Sequence, residues 1–175
     1  MFAPDLVTLE EVVRENTVAT LADLKLAASV DTGDEDDYLN LCLASGQAWV
    51  EGYIKRRFAD CRYTVFYKFN YTPRDRDVLV LPVAPVASVM LDGERVPLKA
   101  MDDGFHSWVT WQEGWDTQTL SLDVSVVWGE KLGVMKLPVL TVASDFYRNR
   151  NLYEGRQMSV NQAVTNALAP YRRDI

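Results

Sequence analysis

Cysteine, histidine and clustered glycine are all scarce in this chain, and each shortage removes a class of chemistry. There are two cysteines, Cys42 and Cys61, and one histidine, His106. With no CxxC spacing and a single imidazole, neither a zinc site nor a disulfide scaffold is suggested, and both thiols are read as reduced and structural. A nucleophile–base pair would need His106 beside a Ser or Cys. Its neighbours Phe105 and Ser107 sit in what reads as a hairpin tip, so a surface histidine is expected. The nine glycines are scattered singly through turns, which leaves no phosphate-cradling loop, and neither HExxH nor GxSxG occurs. The expectation is a chain that is not an enzyme, with no catalytic, cofactor-binding or metal-ligating residues.

Long apolar runs are missing too. No stretch approaches the roughly 18 residues of a membrane helix, and Asp5, Glu10 and Glu11 break the basic-then-apolar layout of a signal peptide. A protein that stays where it is made, without membrane contact, is expected. Basic residues are outnumbered, 18 against 25 acidic, for a net charge of -7. Duplex binding relies on clustered Lys and Arg, so a phosphate-neutralising surface is not the main business of the monomer. An acidic surface facing passing DNA would instead keep it from sticking.

The 175 residues, 48% hydrophobic and 25% charged, suit one folded domain or one domain with an inserted subdomain. Thr8-Leu-Glu-Glu11 and Thr20-Leu-Ala-Asp23 both have the form of a helix start, a hydroxyl with an acid three residues on, and predict helices over about 8–16 and 20–28. Asp34-Glu-Asp-Asp37 leads into the clearest helix, with Leu39, Cys42 or Leu43, Gly46, Trp49 or Val50, and Tyr53 at three-to-four spacing. The acids suit the positive end of that helix dipole and lack the ligand pattern of a calcium loop. Lys55-Arg-Arg57 suits its negative end.

From residue 61 the period becomes alternating. Tyr63, Val65, Tyr67, Phe69 and Tyr71 face one way, followed by short strands at Val78 to Leu81 and Val86 to Leu91, a hairpin turn at Asp92-Gly93 and a strand at Val96 to Leu98. A second turn is expected at Asp103-Gly104, continued by Trp108, Val109 and Trp111. Leu120, Leu122, Val124, Val126 and Trp128 make a last strand with one buried face. Trp108, Trp111 and Trp115 invite a sugar-stacking reading, although core and hairpin packing is the commoner use of such residues. Pro138 is placed at the first turn of a further helix running to about Asn151, and Val160, Ala163 or Val164, Ala167 or Leu168 and Tyr171 follow helical spacing after a linker. The fold class is α+β, a small helical bundle with an inserted antiparallel β subdomain and a C-terminal docking segment. Its parts are N-terminal helices over 1–60, the β insertion over 61–130, a closing helix over 131–155 and the docking segment over 156–175.

Four stretches, in this order, resemble the head-tail connector proteins of tailed phages, also called head completion or adaptor proteins. The first comprises Thr20-Leu-Ala-Asp-Leu-Lys25, Asp34-Glu-Asp-Asp-Tyr-Leu39, Ala48-Trp-Val-Glu-Gly-Tyr53 and Arg56-Arg57-Phe58. The others are Val78-Leu-Val-Leu-Pro-Val-Ala-Pro-Val86, the strand Val124 to Gly129, and Leu137-Pro138 with Phe146-Tyr-Arg-Asn-Arg150 and Leu168-Ala-Pro-Tyr-Arg172. Residues 1–17 extend beyond the usual start of that family, and the stretch after Pro138 lacks its run of Ala, Ile and Leu. The resemblance implies a non-catalytic virion protein assembled as a ring, commonly of twelve subunits, between portal and tail. It would close the DNA-filled head, let DNA pass without sequence-specific binding and offer a surface to tail or head-completion proteins. It also implies a virion location at the head-tail interface, after assembly in the host cytoplasm. Val160, Leu168 and Tyr171 are expected as apolar anchors on the portal, with Arg172 and Arg173 as charged contacts. The alternative is a tail-side or glycan-binding β module of a phage particle.

Overall fold

The computed structural model describes residues 2–70, 72–74, 77–101, 105–149 and 162–172. The chain is α+β, as expected, with four α-helices and two antiparallel sheets among the described residues. It divides into two compact units. The β unit comprises residues 2–16 and the described residues of 59–129; the helical unit comprises 17–58 and the described residues from 130 onward.

The first surprise lies at the start of the β unit. Residues expected as a helix over 8–16 form instead a strand, β1 (Leu6–Glu15). It pairs antiparallel with β2 (Ala59–Lys68), and the register slips between Leu9 and Glu11 and again between Val12 and Arg14. Each slip is a bulge, leaving Glu10 and Val13 as extra residues. The bulges explain the misreading: the half-buried Val7 and Val12 fall five apart rather than an even number, which hides the strand period behind a helix-like spacing. The Asp60 carboxylate holds the end of this arrangement. It accepts from the Asn16 side-chain amide at 3.0 Å and from the Trp128 backbone N–H at 2.9 Å.

The remaining strands are β3 (Val78–Leu81), β4 (Val86–Leu91), β5 (Glu94–Arg95), β6 (Leu98–Ala100), β7 (Ser107–Thr110) and β8 (Thr119–Val126). One sheet has the order β1-β2-β8-β4-β5 and the other β3-β7-β6. Cys61, Val65 and Tyr67 on β2 are buried, as are Leu120, Leu122, Val124 and Val126 on β8, so the alternating pattern of both strands is realised on one face. Cys61 lies within β2. The Tyr67 hydroxyl crosses to the second sheet and donates to the Val80 carbonyl at 2.6 Å. Burial pushes its pKa well above the ordinary phenol value, so it stays a donor. Asp92 and Gly93 both have positive φ, 51° and 83°, as a two-residue hairpin turn requires. The strand expected over Val96 to Leu98 is split: Val96 is a buried link between β5 and β6. The Asp103-Gly104 turn lies outside the described residues.

Connectivity assigns each edge to a flank. Phe2 bridges to Leu79 on the outside of β3, and four residues later the chain enters β1, so β1 and β3 share one flank. β5 and β6 are two residues apart and end their respective sheets, so they share the opposite flank.

In the helical unit, α1 (Leu21–Ala28) opens with the expected capping box, Thr20 and Asp23 each bonding the other's backbone N–H. It closes at Ser29 in the left-handed conformation. α2 (Asp36–Ile54) buries Leu39, Cys42, Gly46, Val50 and Ile54, one stripe at three-to-four spacing. α3 (Gly133–Arg148) starts earlier than expected, so Pro138 lies inside the helix and not in its first turn. Met135, Pro138 and Val139 are all buried, and that packing outweighs the backbone hydrogen bond that proline forfeits. Leu24, Leu39, Cys42 and Ala143 meet in the core. Gly46 permits the closest approach: a Cβ there would lie 2.9 Å from the Ala143 nitrogen and 3.0 Å from the Val139 carbonyl oxygen.

Candidate docking surfaces

The C-terminal segment was expected to reach outward, and its described part folds back on its own unit. α4 (Gln162–Leu168) is followed by a 3-10 turn over Ala169–Tyr171. Leu168 is completely buried and Val164 nearly so, so Leu168 serves to hold the segment down. The Tyr53 hydroxyl donates to the Thr165 carbonyl at 3.2 Å, and Arg56 Nε donates to the Tyr171 carbonyl at 2.9 Å. Trp49 and Tyr53, one helical turn apart on α2, stack with ring planes 9° apart. The Arg172 guanidinium lies 5.6 Å from the Tyr53 centroid, extending the column by a cation–π contact. Tyr171 is half-buried and Arg172 exposed. Val160 and Arg173 lie outside the described residues.

This arrangement gives the basic end of α2 a structural role. Arg56, read as part of a basic helix end, also ties α2 to the C-terminal turn. Removing residues 156–175 would also strip Val164 and Leu168 from the core, at about 1.5–3 kcal/mol each. Point substitution, not truncation, is therefore the clean test of this segment.

The acidic run at the start of α2 is engaged in joining helices. Asp36 pairs with Lys25, and the Tyr147 hydroxyl of α3 donates to Glu35. Asp23 of α1 meets Lys136 of α3 at 2.8 Å. The Lys136 side chain, with the Thr20 backbone N–H and hydroxyl, lowers the Asp23 pKa to about 2. Cys42 and Cys61 are buried free thiols, and His106 is exposed.

Several aromatic side chains of the β unit pack edge to face, while Tyr67 and Phe69 stack with ring planes 6° apart. Trp111 is buried and T-shaped against both Phe69 and Trp115; Phe2 is T-shaped against Phe69, and Trp128 lies beside Phe105. A sugar platform needs an open ring face, and the face of Trp111 is buried here.

What sequence reasoning missed are the apolar side chains left outside. On β1, Leu6, Leu9 and Val13 are 59%, 42% and 55% exposed, and Met101, just past β6, is 57% exposed. Leu26, Leu41, Val134 and Leu137 are exposed on the helical unit. For Leu41 the signal was present, since it lies off the stripe of α2 that carries Leu39 and Cys42.

Two layers of sheet joined in sequence to a small helical bundle define the class of fold. No protein-family model matches the chain, and no curated protein matches its sequence. Three solved structures share the fold. A chain from the neck of an empty gene transfer agent (GTA) particle, computed with C6 symmetry, matches with a TM-score of 0.60 at 16% identity, covering 97% of this chain and 96% of that one. A chain from the virion of a native GTA particle gives 0.59 at 16% identity, with the same coverage. One from the neck of the native particle, computed with C12 symmetry, gives 0.50 at 15% identity, covering 95% of this chain and 97% of that one.

Proposed function

We propose that this chain is a structural virion protein of a phage-like particle neck, which forms a ring between portal and tail, closes the DNA-filled head and presents a surface for tail attachment. The observation that carries the reading is the fold shared along 95–97% of the chain with components of GTA particles, among them necks computed with C6 and C12 symmetry. The role is non-enzymatic. The net charge of -7 suits a ring through which DNA passes without being held. The ring has twelve subunits, assembles in the host cytoplasm and remains in the virion.

The portal contact is the C-terminal segment, with Tyr171 and Arg172 reaching the portal beside Val160 and Arg173, and Leu168 anchoring the segment to its own unit. The experiment is nuclease protection. The chain is added to cognate DNA-filled, portal-bearing capsids purified without tails, and DNA loss is followed over time. Addition is expected to slow the loss severalfold, and Arg172→Glu, at an exposed position, to reduce that protection at least threefold while the loss of its contact with Tyr53 lowers the melting temperature by only a few degrees. Equal DNA loss with and without the wild-type chain would overturn the reading.

A further inference from the structure

A ring of identical subunits needs two different surfaces on opposite sides of each subunit, and the β unit has such a pair. One flank ends in β1, a ten-residue strand whose outer edge has no partner strand among the described residues. Its two bulges and its charged side chains guard the edge against continuous strand addition, which leaves its side chains to make the contact. It exposes Leu6, Leu9 and Val13 among Asp5, Glu10, Glu11, Arg14 and Glu15, with Glu11 paired to Arg62 of β2 at 3.0 Å. The opposite flank ends in β5 and β6 and exposes Glu94, Arg95, Lys99, Ala100 and Met101. β6 also ends its sheet.

We propose that the β1 flank of one copy docks on the β5–β6 flank of the next, apolar side chains meeting Met101 and the β1 acids meeting Arg95 and Lys99. This rests on the ring reading above and names its side-to-side contact. Charge selects the occupant. The β1 flank carries four acids, Asp5, Glu10, Glu11 and Glu15, against Arg14, so a second β1 would set acid against acid, which costs energy across a sheet edge, whereas the opposite flank supplies Arg95 and Lys99 beside the single acid Glu94 of β5. Because the two flanks differ and lie on opposite sides, the contact repeats head to tail. It thereby covers apolar edge surface that a lone subunit leaves in water.

The test uses Leu9→Cys and Lys99→Cys, singly and together, with a flexible bis-maleimide; the native thiols Cys42 and Cys61 are buried. Crosslinking is run on the free chain at high concentration and again after mixing with portal-bearing capsids. The double variant is expected to give a ladder extending beyond dimer in at least one condition, and each single variant no ladder. Introducing Val13→Lys as well should cut the ladder yield at least fivefold with no change in the circular dichroism spectrum. No ladder in either condition overturns the contact, as does a dimer from Leu9→Cys alone that matches the double variant in yield. A ladder without any binding to capsids would uphold the contact and overturn the portal role instead.

Discussion

The two units of this chain are fastened by different means. In the helical unit the joints are side chains that reach from one helix to another: Asp23 to Lys136, Lys25 to Asp36, Tyr147 to Glu35 and Tyr53 to the Thr165 carbonyl. In the β unit the joints are mostly backbone ladders, with a few side chains such as Asp60 and Tyr67 closing the ends. A side-chain joint depends on residue identity, whereas a ladder depends on register. The helical unit should therefore be the more sensitive to single substitutions away from its core.

The sharpest break of that contrast is at Gly46. Gly46→Leu would drive side-chain atoms into the backbone of α3 at Val139 and Ala143, and the helical unit should lose about 3 kcal/mol. The check is urea unfolding followed at 222 nm. Four of the five tryptophans, Trp108, Trp111, Trp115 and Trp128, belong to the β unit, so their fluorescence follows that unit in the same titration.

A smaller effect is expected at Tyr67. Tyr67→Phe keeps the ring in place and removes the donor to the Val80 carbonyl, a loss of about 1 kcal/mol. Thermal melts monitored by tryptophan fluorescence would read it, and a loss well above that figure would mean the β unit also depends on side-chain joints.

The smallest effect separates the joints by pH. The Asp23 carboxyl titrates at about 2 in the folded chain, against 3.8 for an ordinary aspartate. A folded-state value below the unfolded one means that stabilisation is complete above the unfolded value and disappears as pH falls through the folded one. The melting-temperature gap between wild type and Asp23→Asn should thus be constant above about pH 5 and close between about pH 4 and 2. The pair faces solvent, so the gap should also shrink with added salt.

The same contrast governs what could be read in advance. The Thr20 and Asp23 capping box, the stripe of α2 and the alternation of β2 and β8 are written in residue type and spacing, and all were legible. β1 was not, because bulges at Glu10 and Val13 break the strand period and Thr8-Leu-Glu-Glu11 mimics a helix start. The early start of α3 was hidden because burial of Met135 and Val139 overrides the local signal of Pro138. At the docking surface, helical spacing marked Leu168 as apolar but not which partner covers it, and that partner is its own unit. The exposed edge of β1 could be found only once strand order was known.

The measurement that bears most directly on the neck assignment is imaging of cognate tailless, DNA-filled capsids with and without the added chain. The account predicts a closed ring of new density at the portal vertex and at no other vertex, with a countable number of subunits. Vertices that look the same with and without the chain would contradict it.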